Sequence, residues 1–474
     1  MTSTPQAGTN PAGGQSAALG RVVFIAAAAA MGGFLFGYDS SVINGAVEAV
    51  RGRFEIGSAL LAQVIAAALI GSAIGAALAG RIADRIGRIR VMQIAAVIFT
   101  VSAVGSALPF ALWDLALWRV LGGVAIGMAS VIGPAYIAEV SPPAYRGRLA
   151  SFQQAAIVTG IAVSQLVNFA ILNLADGDQR GELAGLEAWQ WMLGIMVIPS
   201  LAYFLLSFVI PESPRYLISV GQHDKARKVL GSIEGEHDRL DARVDEIEHQ
   251  MHSEHKSTFK DLLGGRFGFL PIVWVGIGLS VFQQLVGINV VFYYSATLWQ
   301  SVGINPESSF LYSFTTSIVN IVGTVIAMLL VDRVGRKPLG LAGSIGMTIS
   351  LALVAWAFSA RTGSGKNVSL PDTQGAVALI GAHTFTLFFA LSWGVVVWVL
   401  LGEIFPNKIR AAGLGVAAAA QWVANWAITA SFPSLSDWNL SGTYVIYTCF
   451  ALLSIPFLLK WVPEPKGKAL EEMG

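Results

Sequence analysis

The chain has 474 residues, 54% of them apolar or aromatic and only 12% Asp, Glu, Lys or Arg, about half the charged share of an ordinary soluble protein, so a water-soluble surface is hard to build from it. Thirty basic residues against 29 acidic ones leave a net charge near +1, which gives no footprint for nucleic acid. The single Cys449, with 51 Gly and 18 Pro in no short period, excludes a disulfide framework, a cysteine-built zinc site, and collagen-like or disordered chains.

Residues 1–20 are rich in Ser, Thr, Pro, Gly, Asn and Gln and lack a basic start followed by a short apolar core; they predict a disordered tail rather than a cleaved signal peptide. Charge-free runs follow at 56–80, 91–113, 120–138, 149–175, 188–211, 267–306, 308–331, 338–360, 373–402, 411–436 and 438–459, and a further run at 22–47 is broken only by Asp39. A bilayer-spanning helix needs about 20 mostly apolar residues and tolerates almost no charge, so twelve spans are expected. Between the sixth and seventh, residues 211–266 carry nine Lys or Arg with many acids. Amphipathic spacing at 224–230, 238–251 and 259–263 predicts a linker of short helices.

Basic residues set the orientation. Connections after the second, fourth, eighth and tenth runs hold eleven, from Arg81 to Arg410, and the opposite loops hold five: Arg51, Arg53, Arg180, Arg361 and Lys366. The positive-inside rule places both termini and the linker in the cytoplasm.

The chain also repeats itself. Asp84-Arg85-Ile86-Gly87-Arg88 after the second run returns as Asp332-Arg333-Val334-Gly335-Arg336 after the eighth, 248 residues on; Glu139 with Arg146 returns as Glu403 with Arg410, 264 on; Pro211-Glu212-Ser213-Pro214-Arg215 returns as Pro463-Glu464-Pro465-Lys466, 252 on. Three pairs in one order, six spans apart, predict an all-α polytopic membrane protein of two pseudo-symmetric six-helix bundles. The expected units are a tail (1–20), an N-terminal bundle (21–211), a cytoplasmic linker (212–266), a C-terminal bundle (267–462) and a short tail (463–474).

Amides at membrane depth are the candidate binding groups. At 1.5 Å per residue, Gln283, Gln284, Asn320 and Gln421 fall near mid-bilayer. Each alone can equally tie helices together, and their concentration in the C-terminal half favours a binding surface. Asp39 is an ionisable group inside the first span and needs a proton or a cation. Arg119, at the start of the fourth, lies in the same outer half of the membrane, so the two can pair; a static structural pair is the competing reading.

These motifs carry a resemblance. With Gln283-Gln284-Leu285-Val286-Gly287-Ile288-Asn289, Phe292-Tyr293-Tyr294 and Pro463-Glu464-Pro465-Lys466-Gly467-Lys468, the chain resembles the sugar porter branch of the major facilitator superfamily over about residues 20–472. The resemblance implies sugar contacts at Gln154, Gln283, Gln284, Asn289, Asn320, Trp398, Gln421 and Trp422. Proton symporters of the branch keep an aspartate at Asp39 and passive facilitators have asparagine, so it implies proton coupling through Asp39 and Arg119. Asp84, Arg88, Glu139, Arg146, Glu212 and Arg215, with Asp332, Arg336, Glu403, Arg410 and Glu464, are implied to form ion pairs that close the cytoplasmic face and separate when it opens. Ile161 stands where xylose symporters carry glutamine, which leans toward glucose. The Gly-Pro-x-x-Trp of the tenth helix reads Gly394-Val395-Val396-Val397-Trp398 here, which leaves its kink to Gly394 alone.

The expected function is proton-coupled uptake of a monosaccharide, D-glucose first, by a functional monomer in the plasma membrane, with no cofactor and no nucleic-acid partner. A passive uniporter and a sugar sensor are the alternatives. No Gly-x-Ser-x-Gly or P-loop supports an enzyme, and His249, His252 and His255 read as a solvated linker face before a zinc site.

Overall fold

The computed structural model describes residues 11–142, 145–234, 240–253, 259–264, 268–362, 369–406 and 408–464. The N-terminal half contains α1 (Pro11–Val42), α2 (Val47–Phe54), α3 (Ser58–Ile86), α4 (Arg88–Ala107), α5 (Leu112–Val140), α6 (Arg146–Leu174), α7 (Ala188–Gly194) and α8 (Val197–Leu206). Short helices α9 (Pro214–Ser219), α10 (His223–Glu234) and α11 (Leu240–Ser253) form the linker. Leu217, Ile218, Ala226, Leu230 and Val244 give the linker a small core of its own. The C-terminal half contains α12 (Pro271–Leu285), α13 (Ile288–Tyr293), α14 (Ser295–Gln300), α15 (Pro306–Val334), α16 (Arg336–Ser359), α17 (Asp372–Leu391), α18 (Trp393–Ile404) and α19 (Arg410–Trp461).

Eleven helical stretches among the described residues are long and apolar enough to span a bilayer, the last running Ala412–Trp461. Asn439 (φ −161°, ψ 101°) breaks that stretch in two, two residues past the charge at Asp437 that separates the last two runs in the sequence, which restores twelve. The first helix begins at Pro11, so its start intrudes on the stretch expected to be a tail; residues 1–10 and 465–474 lie outside the described residues. The tenth span does break without proline. The break is at Ser392 (φ −132°, ψ −92°), between α17 and α18, where the Ser392 hydroxyl donates to Phe388 O.

Small residues set the packing inside each half. A side chain at Gly71 or Gly75 of α3 would clash with the Val120 or Val124 carbonyl of α5, and one at Gly123 or Gly127 of α5 with the Ala68 or Ser72 carbonyl of α3. This reciprocal small-xxx-small crossing lets the two backbones touch, as apolar helices in lipid must in order to gain contact energy. Across the halves, α6 lies along α15 and α3 along the first part of α19.

Candidate functional site

Two sets of polar groups stand out, one inside the bundle and one at the end that carries the repeated basic loops. Inside the bundle, Arg119 Nη1 of α5 donates to Asp39 Oδ1 of α1 over 3.1 Å. Both residues are almost wholly buried, 3% and 4% exposed. Gly122, one turn from Arg119, lies beside the Asp39 carboxylate, and a side chain there would collide with Ser102 Oγ. The pair is incompletely satisfied: Asp39 Oδ2 and Arg119 Nε are buried with no hydrogen-bond partner. A buried ion pair with open valences is expensive to keep in an apolar bundle. The arrangement can hold a proton on the carboxylate at the expense of the pair.

The C-terminal half answers with amides. Its first span is interrupted at Gly287 (φ +83°), a left-handed turn suited to glycine, where a side chain would also meet the Tyr447 ring. Gln283 and Gln284 sit just before this break and Asn289 just after it. Asn289 Nδ2 donates to Gln284 Oε1, Gln284 Nε2 to Gln283 Oε1 over 3.2 Å, and Gln283 Nε2 to the Trp393 carbonyl over 3.0 Å. The result is a polarised relay of donors and acceptors around a helix break, neutral throughout, suited to a neutral hydroxylated ligand.

The remaining candidates are placed without joining that relay. Asn320 is buried on α15, and Gln154 on α6 is half-buried. Gln421 Oε1 is buried without a partner. Trp422 packs on Phe36 of α1 at 6.1 Å between ring centroids and against a small cluster of Ala66, Leu69 and Ala430, so it bridges the halves. Trp398 is 47% exposed. The tryptophan five residues earlier, Trp393, is buried, its indole donating to Ser344 Oγ over 2.9 Å and to Gly340 O over 3.2 Å.

At the basic end the two halves build the same device. Arg88 grips Glu139 with Nε and Nη2 at 3.0 and 2.9 Å and reaches Ala83 O with Nη1; Arg336 grips Glu403 with the same atoms at 3.0 and 2.8 Å and reaches Val331 O. Glu212 accepts from the backbone N–H of Arg88, Ile89 and Ser213, and Glu464 from those of Arg336 and Lys337. Both carboxylates cap a helix N-terminus, where the dipole favours negative charge. Burial pushes the Glu212 carboxyl above the usual glutamate range, opposed by those backbone donors and by Arg88. Asp84 pairs with Arg88 at 3.4 Å. Arg410 donates through Nε to Phe405 O, and Arg215 opens α9 with a partner of its own. The side chains of Arg146 and Asp332 lie outside the described residues. These bidentate pairs join helices within one half.

The opposite end is fastened across the halves by neutral groups that the depth count in the sequence passed over. Asn44 Nδ2 donates to Gln165 Oε1 over 3.0 Å and faces Ser313 Oγ at 3.4 Å, its Oδ1 accepts from the Ala296 N–H over 2.9 Å, and Gln165 Nε2 donates to Phe292 O over 3.3 Å. Gln153 is likewise buried, with both amide atoms unpartnered, held between Gly33 and Gly133. Gln153, Gln165 and Asn168 all lie in the fifth charge-free run, so counting every intramembrane amide would have found them, and the apparent concentration in the C-terminal half would have weakened.

Comparison with known proteins agrees with this architecture. The sequence profile described as "Sugar (and other) transporter" matches residues 25–474. The glucose transport protein of Synechocystis is 50% identical over 95% of this chain and 97% of its own length. The D-xylose-proton symporter of Escherichia coli K12 is 36% identical over 94% and 93%. The partially occluded inward-open structure of the E. coli xylose transporter XylE superposes with a TM-score of 0.81 at 35% identity, covering 94% of this chain and 99% of that one. With its twelve spans in two six-helix halves, the protein is a multi-pass membrane transporter of the major facilitator fold and belongs to the sugar (and other) transporter family.

Proposed function

We propose that the protein is a proton-coupled monosaccharide symporter of the plasma membrane, with D-glucose as its substrate, working by alternating access as a monomer with both termini in the cytoplasm. The observation that carries the reading is the buried, incompletely satisfied Asp39–Arg119 pair. Deprotonated Asp39 holds Arg119. A proton arriving from outside removes the attraction and frees α1 and α5 to close around the sugar, and the proton leaves toward the cytoplasm once that side opens. The relatives, a glucose transport protein and a D-xylose-proton symporter, support sugar as cargo and proton as driver.

The sugar is assigned to Gln154, Gln283, Gln284, Asn289, Asn320, Trp398, Gln421 and Trp422, where the Gln283–Gln284–Asn289 relay supplies directional donors and acceptors. A buried donor left unpaired costs about 1–3 kcal/mol, enough to select among hydroxyl stereoisomers. The indole faces offer flat apolar surface to the sugar C–H groups. Fastening at the Asn44–Gln165 end, with bidentate pairs kept within each half at the basic end, supports an inward-facing arrangement. In the outward-facing one, Asp84, Arg88, Glu139, Arg146, Glu212 and Arg215 and their counterparts Asp332, Arg336, Glu403, Arg410 and Glu464 would exchange partners across the cytoplasmic cleft.

The test is uptake of labelled glucose into sealed vesicles under an imposed inward pH gradient. The wild-type protein should accumulate sugar and lose the gradient to a protonophore; Asp39→Asn should abolish accumulation while sparing sugar exchange at equal pH. Filling to the same extent with and without the gradient would sink symport in favour of passive uniport.

A further inference from the structure

Beside Arg119 lies a void of about 10 Å³, the room of a single water. Most of its wall belongs to the N-terminal half, Ser40, Ser72 and Arg119 among them, and the C-terminal half contributes only Tyr293 and Trp422. Tyr293 is buried, and its hydroxyl bonds Ser40, the residue after Asp39, and Asn425 of α19. Asn425 Oδ1 already accepts from the Thr429 hydroxyl over 3.1 Å. The Asn425 amide can still donate to the Tyr293 hydroxyl through its Nδ2. Asn425 and Trp422 lie one turn apart on α19, with Gln421 beside them. The charged groups that face Tyr293 are Asp39 and Arg119, and Tyr294 is its titratable neighbour.

We propose that Tyr293 is the positioning residue through which the ion pair and the sugar surface sense each other: its hydroxyl ties the Asp39–Ser40 stretch of α1 to the Trp422–Asn425 face of α19. The inference rests on the symport reading. An Arg119 released by protonation of Asp39 borders this void, and the facing wall offers an aromatic ring and a hydroxyl toward which it can shift. A sugar seated against Trp422 presses on the same wall from the C-terminal side. Without the hydroxyl the two events touch neighbouring surfaces that no longer move as one, so transport persists and its coupling to the proton does not.

The test compares wild type, Tyr293→Phe, Ser40→Ala and Asp39→Asn in sealed vesicles, reading glucose accumulation under a pH gradient, exchange at equal pH, and sugar KM against external pH. Tyr293→Phe should lower accumulation about tenfold, keep exchange within about twofold, and flatten the pH dependence of KM. Ser40→Ala removes the partner on the other half and should do the same more weakly; it also decides the matter if Tyr293→Phe fails to fold. Undiminished accumulation in both variants, with Asp39→Asn defective, overturns the role of Tyr293 and leaves symport standing. Accumulation and exchange falling together overturn it in favour of a purely structural tyrosine. A wild type indifferent to the gradient removes symport itself, and this inference with it.

Discussion

Arg88 and Arg336 grip Glu139 and Glu403 with the same atoms and carry the same carboxylate caps, whereas inside the bundle the two halves have parted. Both interrupted first spans contain an Ile-Asn pair, Ile43-Asn44 and Ile288-Asn289, and in that register Asp39 falls opposite Gln284. The offset of 264 that relates Glu139 to Glu403 sets Arg119 opposite His383. His383 bonds Leu379 O and Thr315 Oγ1, and Gln284 bonds Gln283 and Asn289. One half therefore keeps a buried salt bridge where the other keeps hydrogen bonds. The two halves share the ion-paired device at the basic end and differ in the polar groups they bury inside the bundle. This division gives a physical reason for assigning the proton to one half and most of the sugar contacts to the other.

The comparison is broken most severely by removing one member of the ion pair. Arg119→Ala leaves a buried carboxylate unpaired and should destabilise the protein by about 3–5 kcal/mol at neutral pH, visible as a large fall in melting temperature in detergent. His383→Ala, at the matching position, should cost far less. Equal losses would mean that the asymmetry inside the bundle has no energetic content. Next comes Gln284→Ala, which cuts the relay in its middle and strands Asn289 and Gln283. Sugar KM should rise about 10- to 100-fold, the range of one or two unmet buried hydrogen bonds. An unaltered KM would remove these amides from the binding surface.

The smallest expected effect concerns Glu212. Its carboxyl is raised in the folded protein by burial, so the folded state holds the proton more tightly than the unfolded chain. The corresponding stability is present below the ordinary glutamate range and is lost as pH rises through the raised value. Melting temperature should therefore decline over that window in the wild type and decline less in Glu212→Gln. The same slope in both would assign the effect to other groups.

Much of this was legible in the sequence because bilayer spans are written in composition. The charge at Asp437 marked the break that the backbone makes at Asn439, and offsets of 248, 252 and 264 paired the motifs that prove to be bonded alike. Partner choice was not legible. The offsets say that Arg88, Glu139 and Glu212 share one end of the bundle, but which of them meet depends on how each helix is turned about its axis, and the bidentate pairs proved to lie within a half. The Asn44–Gln165 fastening escaped for a related reason: Asn44 sits beyond the first helix, in a 3-10 turn, and a neutral amide leaves no trace in a charge count. Trp398 and Trp393 could not be told apart either, since burial of one and exposure of the other follow from the backbone break at Ser392.

The left-handed turn at Gly287 makes α13 a stub of six residues whose far end carries Phe292, the carbonyl acceptor of the Gln165 bond. A stub that short can swing about its pivot while the fifteen residues of α12 stay seated. A swing of that kind would have only the neutral bonds of Asn44 and Gln165 to break, and no bidentate ion pair.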